Sequence, residues 1–84
     1  MADILEMQRL AAQARSLYDD PAFRRIYEKL YLGALDSIRF SLPEDVNRRE
    51  EAYWRLRTLE ELDRELTGAL QAPKIEAKRQ DRQR

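Results

Sequence analysis

PEDVNRREEAYWRLRTLEELDRELTGAL, residues 43–70, decides the fold. After its opening proline the stretch contains no further proline, and its single glycine, Gly68, sits near the end. Ala52, Leu56, Leu59, Leu62, Leu66, Ala69 and Leu70 recur at spacings of three and four, which sets them on one face of a helix. Such a helix is roughly 40 Å long at about 1.5 Å per residue. A stripe of that length needs a partner, and the preceding residues are patterned to supply one.

Working outward, Ser41-Leu42-Pro43-Glu44-Asp45 is a break. Ser41 and Glu44 have capping-box spacing and Asp45 is a competing N-cap. Before it, Asp20 suits an N-cap and Pro21 the first helical position, where a missing N–H costs nothing. Phe23, Ile26, Tyr27, Leu30, Ala34 and Ile38 then form an expected buried face, with Tyr31 and Leu35 at its margin. Gly33 interrupts this helix at about 1 kcal/mol relative to alanine, as if to admit a neighbouring backbone. Asp3 is the expected cap of a first helix, with Ile4, Met7, Ala11, Ala14 and Tyr18 as its seam, widened by Leu10 and Leu17.

The expected fold is therefore all-α. An antiparallel helical hairpin, with helices about 21–40 and 45–70, carries an additional N-terminal helix, about 3–18, as a small three-helix bundle. Helix one either completes that bundle or docks on a partner. Residues 1–72 form a single helical domain. Pro73 is the expected stop, and 73–84 a charged tail, either a frayed helical extension or a disordered arm.

Composition narrows the function. The chain has 84 residues, no cysteine and no histidine, which excludes a disulfide framework, thiolate metal sites and the usual neutral-pH base. No apolar run is long enough to span a membrane, and the N-terminus lacks the pattern of a secretory signal. A cytoplasmic location is expected. Net charge is zero, from 16 basic and 16 acidic residues. The balance is local rather than uniform, with residues 43–72 acidic and 73–84 basic.

Catalysis has little to work with. Glu50-Glu51 and Glu60-Glu61 are helix neighbours that point about 100° apart and cannot converge on one atom. No Glu-x-x-His motif, Gly-rich phosphate loop or nucleophile elbow is present, so no enzyme, cofactor or metal is expected. Tyr53 and Trp54 fall on opposite flanks of the long stripe, and Leu32 lies off the stripe of helix two. With Tyr31 these are the expected protein-contact residues, because aromatic side chains dominate binding hot spots. Arg24, Arg25, Lys74, Lys78, Arg79, Arg82 and Arg84 could instead contact phosphates. The start of helix two lacks the Arg/Asn/Gln/Ser cluster a recognition helix offers to base edges, so that contact would be weak and salt-sensitive.

Two stretches carry a family resemblance. LYDDPAFRRIYEKLYLGAL, residues 17–35, and DVNRREEAYWRLRTLEELDREL, residues 45–66, resemble small helical proteins encoded in the head-assembly modules of tailed bacteriophages and prophages. In the first, Asp-Pro and an aromatic open a helix. In the second, Asp45 precedes Arg49-Glu50, the aromatic Tyr53 and leucines at helical spacing. The resemblance implies two long helices after a short leader and no catalytic residues. It implies a minor virion or head-assembly component, with capsid, portal or other assembly proteins, or further copies of itself, as partners. The alternative is a small nucleic-acid-associated factor, a packaging accessory or regulator using the basic tail.

Overall fold

The computed structural model describes residues 3–82 and is all-α, with no strand among them. Three helices follow in order: α1 Ile4–Tyr18, α2 Pro21–Arg39 and α3 Val46–Arg82. Asp3 caps α1 by accepting from the Leu5 N–H at 2.9 Å. Asp20 caps α2 by accepting from the Phe23 N–H at 2.9 Å, and Pro21 opens the helix. Both caps satisfy N–H groups that a helix start leaves without partners.

The third helix corrects the expected boundary. It does not stop at Pro73 but continues to Arg82, so residues 73–82 are a continuation of α3. Proline inside a helix removes the N–H that would bond the Ala69 carbonyl, at about 3 kcal/mol. Packing opposes that cost here. Ala69, Leu70, Ala72, Pro73 and Glu76 are all half-buried on the part of α3 that runs past α2, and α3 is the helix on which α1 packs. Arg84 lies outside the described residues.

With 37 residues, α3 is about 55 Å long and spans most of the 60 Å long axis. It packs against both other helices, whereas α1 and α2 scarcely touch. The Tyr27 hydroxyl donates to the Leu59 carbonyl at 2.8 Å, which sets the antiparallel register of α2 on α3. That register places Ala34 level with Ala52. The junction between α1 and α2 then meets α3 near Leu66, where Tyr18, Phe23, Tyr27 and Leu66 line one cavity. Earlier residues of α1 accordingly meet later residues of α3.

The fully covered core among the described residues is three alanines, one per helix: Ala14 at 5%, Ala34 at 3% and Ala52 at 3% exposure. Small side chains at the contact let the helix axes approach. Ile4, Met7, Ala11, Ala14 and Tyr18 all face inward, as their spacing predicts. Five other expected core residues do not. Leu10 is 55%, Leu17 42%, Ile26 58%, Leu30 55% and Leu62 39% exposed. Two helices in contact cover only a narrow strip of each, and these five lie on the flank of that strip.

The turn between α2 and α3 departs from the capping-box expectation. The Ser41 hydroxyl donates back to the Ile38 carbonyl at 2.7 Å and so serves the end of α2. Asp45 immediately precedes α3, but its carboxylate accepts from the Leu42 N–H at 2.9 Å. Arg49 reaches back from the first turn of α3. Its guanidinium donates to the Leu42 carbonyl, to the Pro43 carbonyl at 3.0 Å and to Ser41 Oγ at 3.2 Å.

Candidate functional site

Two sides of the α2–α3 pair differ in chemistry. One side carries an aromatic ladder. Phe23 and Tyr27 lie 6.1 Å apart, and Tyr27 and Tyr31 stack at 6.3 Å with a 15° interplanar angle. Glu60, Asp63 and Arg64 of α3 border the tyrosines. Tyr27 holds its phenol above the ordinary value of 10.0, first because burial disfavours the phenolate and then because Asp63, Tyr31, Glu60 and Tyr18 are near.

The other side is an apolar groove of about 660 Å³ lined by Leu30, Gly33, Ala34, Trp54, Thr58 and Leu59. Lys29, Glu51 and Arg55 stand at its rim, with Glu51 and Arg55 paired at 3.1 Å. Trp54 is 64% exposed and meets the Tyr53 ring edge-on at 5.3 Å. Gly33 does not receive a neighbouring backbone. A Cβ built there would meet nothing within 4 Å. By helical spacing Ile26, one turn before Leu30, and Leu62, one turn after Thr58, extend the groove along both helices.

The four expected contact residues are thus divided. Trp54 lines the groove and Tyr53 braces it. Tyr31 belongs to the opposite, tyrosine-lined side, and Leu32 is exposed on the outer surface of α2. Leu30 and Gly33 are groove residues that sequence reasoning missed. Their signal was present as a stripe residue and an interrupting glycine, but it pointed to the interior.

The basic residues are also divided. Arg24 sits over the Tyr18 ring at 5.8 Å, at the α1–α2 junction beside Leu66, with Arg25 next to it. Lys74, Lys78, Arg79 and Arg82 are exposed on α3, roughly 12 to 24 Å further along the axis at 1.5 Å per residue. Arg79 is engaged with Glu76 at 3.1 Å. The structure does not gather these groups into one patch. Among the described residues no group of three or more acidic side chains is placed to hold a metal ion. No helix among them is long and apolar enough to cross a membrane. Compared with family models, curated proteins and solved structures, the chain matches none.

Proposed function

We propose that this chain is a non-enzymatic helical interaction module that works by presenting the α2–α3 groove to another protein surface. Its setting is the assembly of a tailed-phage or prophage-like head, with the protein made in the host cytoplasm and carried as a minor virion component. One observation carries the contact reading: Leu30 and Trp54, both large, apolar and exposed, line one groove, while among the described residues the fully covered side chains are alanines. An apolar strip with a polar rim is the anatomy of a protein interface. The particle setting is supported by the resemblance of residues 17–35 and 45–66. Capsid, portal or other assembly proteins, or further copies of the chain, are the partners it implies.

The test uses Trp54, the single tryptophan, as the reporter. Purified capsid and portal proteins lacking tryptophan at the contact, or labelled chain for those that retain it, are titrated against the protein. Saturable burial of Trp54, weakened at least about 30-fold by Trp54→Ala, is expected for a hot-spot aromatic. Emission that stays that of a solvated indole, both with these partners and on self-association, would refute the contact role of the groove.

A further inference from the structure

The α2–α3 groove is the floor of a layer that the chain leaves unfinished. The molecule measures 60 × 27 × 15 Å, so across its short axis it is little more than one helix deep. Helices bury their apolar stripes against a second layer, yet no residue of α1 lines the groove. What the groove offers is carbon. Leu30, Gly33, Ala34, Trp54 and Leu59 supply most of its wall. The Thr58 hydroxyl spends its proton on the Trp54 carbonyl at 2.9 Å. Every lining residue lies inside α2 or α3, where backbone N–H and C=O groups bond along their own helix.

That lack of free backbone groups decides the form of an occupant. An extended segment would press unpaired N–H and C=O groups against carbon, where no water satisfies them. A helix satisfies its own backbone and presents side chains alone, which is how apolar grooves receive amphipathic helices. Length agrees. The groove residues of α3, Glu51 to Leu59, span about 12 Å at 1.5 Å per residue, and helix anchors at i, i+3 or i+4, and i+7 span about 10.5 Å. Gly33 leaves space for such an anchor, since an added Cβ would meet nothing within 4 Å. Charge sets the flank. Glu51 and Arg55 pair with each other at 3.1 Å, whereas Lys29 enters no ion pair among the described residues. The rim is therefore left with one positive charge, which a carboxylate on the occupant complements. Resting on the contact reading, we infer that the groove receives an amphipathic α-helix of another protein, its apolar face laid on Leu30, Gly33, Leu59 and Trp54 and an acidic side chain on its flank set beside Lys29.

A yeast-displayed library of random peptides, selected on the full chain and counter-selected on its Trp54→Ala variant, tests this. Enriched peptides should carry apolar residues at i, i+3 or i+4, and i+7, a flanking Asp or Glu, and no interior proline. Synthesised without tryptophan, they should gain helicity by circular dichroism as they bury Trp54, the single tryptophan of the chain. With labelled peptide, Trp54→Ala and Gly33→Leu should each weaken binding at least about 30-fold while the helicity of the chain itself is unchanged. Lys29→Glu should weaken it about tenfold, and exchanging the acidic residue of the peptide for lysine should restore it. Peptides that bury Trp54 while staying extended overturn the inference, as does binding indifferent to the Lys29 exchange. Burial of Trp54 on concentrating the chain alone would give the groove to a second copy and overturns it too. If no peptide is enriched over the Trp54→Ala variant yet a folded assembly protein buries Trp54, the helical occupant falls while the contact reading survives.

Discussion

Arg49 shows how much one side chain can organise. It stands in the first turn of α3, yet its guanidinium spends its donors on the loop behind it, on the carbonyls of Leu42 and Pro43 and on Ser41. Those carbonyls have no helical partner, and the planar fork reaches several acceptors at once. Arg49→Ala is expected to lower stability by about 1.5–3 kcal/mol, and Arg49→Lys to recover little of it, because an ammonium cannot span the same acceptors. Urea unfolding of the two variants checks this; full rescue by lysine would reduce the contact to charge alone. Tyr27 is the second organising residue. Its phenol is raised above 10.0, chiefly by burial. Below the unfolded value both states hold the proton and the contribution is complete. As pH rises through 10 towards the folded value, the unfolded chain ionises first and stability falls. Tyr27→Phe should cost about 1 kcal/mol at neutral pH by deleting the bond to Leu59, and should flatten the alkaline decline in urea midpoints. An unaltered decline would assign it to another tyrosine. At this scale the caps were legible, since Asp3 and Asp20 act within their own sequence neighbourhood. Arg49 was not, because its role depends on where a loop folds back.

Among the elements, α3 holds the main departure from what the sequence predicts. Pro73 is a helix stop by local rules, and those rules are local. Ala69, Ala72, Pro73 and Glu76 are half-buried on the part of α3 that runs past α2, and α3 is the helix on which α1 packs, so packing there opposes the cost of a missing N–H. Continuing the antiparallel register places Ile4, Met7 and Ala11 beside the last turns of α3. Deleting residues 74–84 should therefore do more than remove charge. Exposing half-buried Ile4 and Met7 should cost about 2 kcal/mol, lowering the melting temperature by roughly 10 °C for a domain of this size. A melting temperature that does not move would show that α1 gains nothing from this stretch. In α1 the seam of Ile4, Met7, Ala11, Ala14 and Tyr18 was legible, because it rests on a single neighbour, whereas Leu10 and Leu17, read as widening it, are exposed. The stripe of α2 was legible only in part. Phe23, Tyr27, Ala34 and Ile38 face inward, while Ile26 and Leu30 carry the same period a little further around the helix. Periodicity reports which way a residue is turned, and it does not report whether the same chain supplies the cover.

For the whole molecule, helix order, the antiparallel hairpin and the all-α class followed from two proline-marked breaks and three stripes. The sharing of one helix by two others did not, because it depends on α3 running past its apparent end. The groove was foreshadowed by Trp54, but its other wall needed the register of Tyr27 on Leu59. The scarcity of contact between α1 and α2 has a further consequence, for the order in which the chain closes. Near the turn at 40–45, α2 and α3 meet across a short loop. Contacts of α1 with the far half of α3 join residues some 50 to 80 positions apart, and loop closure becomes costlier with length. Folding then runs as a zipper started at the turn. The Tyr27 bond is an intermediate tooth, and α1 is drawn in last. Since α1 leans on α3 and hardly on α2, it can also swing out about Asp19-Asp20 while the rest stays closed. The two termini would then be the end of the rod that exchanges amide hydrogens first.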